Sequence, residues 1–116
     1  MKKFSFKKKF RLLSSQQYKN VFKHSYIVKF KEIFIFSRKN NVKYSRLGIS
    51  IAKKNIKKAN KRNYFKRVIR EFFRINKENF CKMDFVVNIK RQDIKSHKFF
   101  LKRLSFLWYK NFFKPK

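Results

Sequence analysis

Between residues 53 and 74 the chain reads KKNIKKANKRNYFKRVIREFFR, with ten Lys or Arg among twenty-two residues and one acid, Glu71. Few folds can accommodate such a run. Phe65, Val68, Ile69 and Phe72 recur at the spacing of one helical face, while Arg62, Lys66, Arg70 and Arg74 step by four along another. The pattern predicts a loop at about 54–57 and then a helix to about Asn76. Such a helix presses an apolar stripe on a core and presents cations about 6 Å apart along its axis. That interval approximates the phosphate spacing of a nucleic-acid strand, so the segment reads as an RNA-docking element.

The rest of the composition supports a polyanionic partner. Lys and Arg number 35 against five acids in 116 residues, a net charge of +30. An excess of this size repels itself in the compact state unless a partner neutralises it. The chain is nonetheless no disordered tail, because 17 Phe, five Tyr and one Trp supply burial. The length suits one domain, 1–116, with a basic arm over 1–13 and a basic tail over 113–116. Cys81 is the sole cysteine, which excludes an intramolecular disulfide and fits a reducing compartment; it reads as a small buried apolar residue. No apolar run is long enough to span a bilayer, and lysines break up any signal-peptide core near the start, so a cytoplasmic location is expected.

Along the chain, Ser14 or Ser15 can cap a short helix to about Lys23, with Tyr18, Val21 and Phe22 on one face. Residues 26–38 are rich in β-branched and aromatic side chains and predict two short strands or one bent one. A polar turn covers 39–45. In 47–52, Leu47, Ile49 and Ile51 point one way, and the small Gly48, Ser50 and Ala52 the other, leaving space above that face. Residues 84–90 predict a strand burying Phe85, Val87 and Ile89, and 93–112 a last helix with Leu101, Leu104, Trp108 and Phe112 as its apolar stripe. The order implies an α+β layer fold.

No catalytic constellation emerges. The acids form no paired motif, His24 and His97 lie far apart, and Cys81 has no His or Cys at metal-ligand spacing. A phosphate-cradling glycine loop is also missing. Neither catalytic nor metal-binding residues are expected, nor an organic cofactor.

SRLGISIAKKN at 45–55 followed by KKANKRNYFKRVIREFF at 57–73 resembles the bacterial ribonuclease P protein component. The family signature is a strand, a Lys-Lys pair and an A-x-x-R-N-x-x-K-R-x-x-R-E helix, and falls here on Lys53, Lys54, Ala59, Arg62, Asn63, Lys66, Arg67, Arg70 and Glu71. FRLLSSQQYKNVF at 10–22 resembles the family's first helix and MDFVVNIK at 83–90 its later strand. Tyr64 and Phe65 depart from the more usual basic-aliphatic pair. The resemblance implies an α-β-β-β-α-β order, with a further helix here, and a left-handed crossover around the signature helix, as in the second domain of ribosomal protein S5. It also implies that a catalytic RNA subunit, with Mg2+ bound mainly by that RNA, hydrolyses precursor tRNA at its 5′ end. The protein would dock on this RNA through Lys53, Lys54, Lys57, Lys58, Lys61, Arg62, Asn63, Lys66, Arg67, Arg70 and Arg74. Tyr18, Phe22 and Phe36 fall on the family's cleft aromatics, where a single-stranded 5′ leader would stack without sequence preference. DNA and membrane partners are not expected.

Each assignment has a plainer counterpart. The basic helix could be a solvated surface helix, Asn63 a helix-start residue, Lys53 and Lys54 a device that blunts a sheet edge, and the three aromatics simple core. The competing whole-protein readings are a basic ribosomal protein that binds ribosomal RNA and a cationic protein anchored on a membrane surface by its Phe-rich last helix.

Overall fold

Alternation in the β-rich segments places one set of side chains on each side of a four-stranded sheet. The computed structural model describes residues 8–23, 25–90 and 99–113. Its elements are α1 (Ser15–Lys23), β1 (Tyr26–Phe30), β2 (Ile33–Lys39), β3 (Arg46–Ser50), α2 (Ala59–Asn76), β4 (Met83–Ile89) and α3 (Phe100–Phe112). The strand order is β1-β2-β4-β3. β2 pairs antiparallel with β1 and β4, whereas β3 and β4 are parallel and need the crossover that α2 supplies. The 26–38 run is therefore a hairpin, with Phe30 opposite Ile33 and only Lys31 and Glu32 between them. Lys31 accepts a left-handed backbone, φ 56°, to make that tight reversal.

One face of the sheet carries the main core. Val28, Ile33, Ile35, Leu47, Phe85, Val87 and Ile89 meet Phe65, Ile69, Phe72 and Phe73 of α2 and Phe100, Leu104, Leu107, Trp108 and Phe112 of α3. Trp108 is fully buried, stacked on Phe80 at 4.9 Å and 5.2 Å from Phe85. The α2 stripe follows its sequence spacing, with Val68 half-buried and Phe73 added. The α3 stripe is turned from the expected one: Leu101 is exposed and Phe100 is buried in its place. Residues 93–98 of the expected helix lie outside the described residues.

The hairpin tip is tied down from two sides. Glu32, 3 % exposed, accepts two hydrogen bonds from Arg103 Nε, at 3.0 and 3.1 Å, and a third from Nη2. Its backbone carbonyl accepts from Lys90 N at 3.0 Å. A buried carboxylate requires such pairing, and the pair locks α3 onto the turn.

α1 packs on the opposite face of the sheet. Ser14 caps it, accepting from Gln17 N at 3.2 Å, while Gln17 Oε1 accepts from Leu13 N and Ser14 N at 2.6 and 3.1 Å. This is a reciprocal capping box. Val21, fully buried, joins Leu12 and Val86 in a small second core flanked by Tyr18 and Phe36. Residues 8–13 correct the expected loose arm. Phe10 packs edge-on against Tyr44 at 5.3 Å, Arg11 bridges Leu47, and Leu12 N donates to Leu47 O at 2.9 Å. The segment thus covers part of the exposed edge of β3. Residues 1–7 and 114–116 lie outside the described residues. Cys81 is half-buried rather than buried, and its backbone joins Ser45 Oγ to Phe112 O.

Candidate nucleic-acid interface

α2 begins at an unfavourable place for its own charges. Its N-cap is Lys58, which makes no side-chain cap, and the first turn has no acid. The helix dipole favours anions at this end, yet Lys57, Lys58 and Lys61 gather there, all exposed. An external polyanion reverses that penalty, because backbone N–H groups, dipole and ammoniums then all attract it. Lys53, Lys54, Asn63, Arg67 and Arg70 are exposed as well.

The expected four-rung ladder is not uniform. Lys66 is half-buried and lines a cleft with the exposed Arg70, whereas both ends of the ladder bond within the protein. Arg62 Nη1 donates to the carbonyls of Ile56 and Lys57, each at 2.8 Å. Arg74 Nη2 pairs with Glu71. The spacing of four places these side chains on one line but says nothing about where each guanidinium turns.

The cleft lies where α1, β3 and α2 meet. Arg11, Leu12, Leu13, Tyr18, Leu47, Ile49, Lys66 and Arg70 line it. Sequence reasoning missed Arg11, because the basic run at 1–13 showed no periodicity that could assign it a place. Tyr18 closes one wall. Its hydroxyl accepts from Ile49 N at 3.2 Å, and its ring occupies the space above Gly48 that the row of small residues left open. A Cβ at Gly48 would lie 2.7 Å from the Tyr18 ring carbons, closer than real contacts allow. Gly48→Ala is therefore expected to push out the ring and cost about 1–3 kcal/mol. In a Tyr18→Ala background the same change is expected to cost little. Denaturant melts of the four proteins test this, and an equal cost in both backgrounds would refute the contact.

Phe22, one turn along α1 from Tyr18, meets Phe36 of β2 edge to face at 4.9 Å. Phe22 is 40 % exposed and Phe36 half-buried. Val21 fills the space between helix and sheet, with Tyr18 and Phe36 packed against it. Tyr18 thus lines the cleft beside Lys66 and Arg70, and the Phe pair follows one turn further along the same face of α1. Arg38, which donates to Asn20 O at 2.9 Å, fixes α1 on the sheet.

The acids are largely spent inside the protein. Asp84 takes two hydrogen bonds from Arg46, at 2.8 and 2.7 Å, and one from Asn40 at 2.8 Å. The Asp84 hydrogen bond raises the Arg46 guanidinium above its ordinary value against the lowering effect of burial. Glu32 and Glu71 likewise hold arginines. These carboxylates neutralise guanidinium groups and do not fit a divalent-ion site. Among the described residues no helix is long and apolar enough to cross a membrane.

Comparison with known proteins points to one family. A family model described as Ribonuclease P matches residues 6–111. The Ribonuclease P protein component of Buchnera aphidicola is 42% identical over 109 residues, spanning 93% of this chain and 96% of that protein. That of Haemophilus influenzae is 43% identical over 86 residues, 74% of this chain and 72% of the relative. Among solved structures, the Staphylococcus aureus RNase P protein superposes with a TM-score of 0.81 at 26% identity, covering 90% of this chain and 98% of that one. The RNase P protein of Thermotoga maritima gives 0.74 at 31% identity, over 86% and 96%.

Proposed function

The chain belongs to the ribonuclease P protein family, and from that membership we propose how its surfaces serve the tRNA-processing enzyme. The basic loop and α2 dock on the catalytic RNA subunit, through Lys53, Lys54, Lys57, Lys58, Lys61, Lys66, Arg67 and Arg70. The cleft over the β3 edge and the Phe22–Phe36 pair beside it hold the single-stranded 5′ leader of precursor tRNA. The observation that supports this most is that Lys66 and Arg70 of α2 border the same cleft as Tyr18 of α1. A strand entering there meets cations for its phosphates and an aromatic edge for its bases.

In this reading the protein supplies position and charge while the RNA carries out the phosphodiester hydrolysis. Mg2+ is held mainly by RNA, a reading supported by Glu32, Glu71 and Asp84 each being paired with an arginine. Cations brought to the junction of RNA subunit and substrate screen phosphate repulsion, so fewer divalent ions are needed there.

The test is cleavage of precursor tRNA at low magnesium by the RNA subunit alone and with the protein. The expected result is cleavage at the 5′ end that is much faster in the mixture. Phe22→Ala should retain RNA-subunit docking and weaken leader-bearing substrate, by about tenfold for one lost stacking contact. Equal rates with and without protein would contradict the proposal.

A further inference from the structure

Arg62 stands in the sequence as the first rung of a cation ladder, but its side chain turns back toward the loop before the helix. Both hydrogen bonds come from one nitrogen, Nη1, and end on the carbonyls of Ile56 and Lys57 at 2.8 Å. These carbonyls precede the N-cap residue Lys58. The same loop is held at two more points. Ile56 is 5 % exposed and packs in the main core. Asn55 Nδ2 donates to Ile89 O at the end of β4, at 3.1 Å, and the amides of Asn55 and Ile56 both donate to Ala52 O.

What the loop carries is four exposed lysines, Lys53, Lys54, Lys57 and Lys58. Like charges this close drive an untethered loop open, and an open loop must be ordered when a partner binds. A loop already fixed avoids that ordering cost. We infer that Arg62 is a positioning residue for RNA docking: it fixes the lysine loop for phosphate contact and is not itself a phosphate ligand. The inference rests on the docking role of the basic segment proposed above, and it assigns Arg62 and Asn55 one shared task.

Two measurements decide it. In the free protein, Arg62→Ala should speed amide exchange at Asn55 and Ile56 by about tenfold or more while leaving Ile69, in the core of α2, protected. In binding to the catalytic RNA, Arg62→Ala alone should weaken affinity about tenfold, but only about twofold or less in a Lys57→Ala/Lys58→Ala background. Asn55→Ala removes no charge, yet it should weaken docking and lower the salt dependence, because the lysines it helps to place no longer meet phosphates. It also provides the test should Arg62→Ala fail to fold. An equal tenfold loss in both backgrounds, or Asn55→Ala with unchanged affinity and salt slope, overturns the inference. Wild-type protein without salt-dependent binding to that RNA would instead overturn the docking role itself.

Discussion

Replacing Arg103 with methionine is expected to destabilise the domain by about 3–5 kcal/mol, a large part of the stability of a domain this size. The cause is what remains. Glu32 has 4 % of its side chain exposed, and its carboxylate is held by Arg103 from α3, which is 20 % exposed. Without the guanidinium a nearly dry carboxylate loses its charge partner, and the hairpin tip loses its tie to the last helix. The melting midpoint should fall by roughly 10–20 °C. Changing both residues together, Glu32→Leu with Arg103→Leu, removes the charge that needed a partner and is expected to cost far less. Thermal melts of the single and double variants distinguish the two situations. If both are equally destabilised, the loss lies in packing and the ion pair is incidental.

Removing Lys66, Arg67 and Arg70 together, each to alanine, is expected to act in the opposite sense on stability and binding. The side chains project from α2 outside its buried stripe of Phe65, Ile69, Phe72 and Phe73, so the core is untouched. Lowering a net charge of +30 relieves self-repulsion, and the melting midpoint should hold or rise. Affinity for the catalytic RNA should fall about 100-fold near physiological salt, and the slope of log K against log salt should flatten by up to about three units. Isothermal titration or filter binding across a salt series measures both. An unchanged slope would show that these three cations do not reach phosphates.

Much of this molecule is visible in its sequence where the pattern is local. α2 declares itself because its apolar residues and its cations repeat at helical spacing over five turns of sequence. The two faces of β3 are separated by simple alternation of Leu47 and Ile49 with Gly48 and Ser50. Local pattern fails where two phases are almost equally apolar. In α3, Leu104 and Trp108 fit a stripe containing either Phe100 or Leu101, and only packing against Phe65, at 4.7 Å from Phe100, selects Phe100. Pattern is silent on long-range pairing. Nothing local to Glu32 announces Arg103, seventy-one residues away, and the placement of β4 between β2 and β3 arises from contacts across the whole chain.

The site was legible to a similar degree. Charge density marked the segment proposed to dock on RNA, yet it could not separate cations aimed outward from those used within. Arg62, which serves the loop carbonyls, and Arg74, which serves Glu71, look identical in sequence to Arg70. Tyr18 illustrates the opposite error of choosing between core and ligand contact. It seals Gly48 and caps the Ile49 amide while also lining the cleft, so it belongs to the fold and the site together.

The most direct test of the account is to purify the protein from cells at moderate salt and sequence the RNA that accompanies it. The account predicts enrichment of one structured, non-ribosomal RNA, and that the recovered complex cleaves precursor tRNA at its 5′ end. Ribosomal RNA dominating at every salt concentration would contradict it and reduce the signature helix to a general phosphate binder.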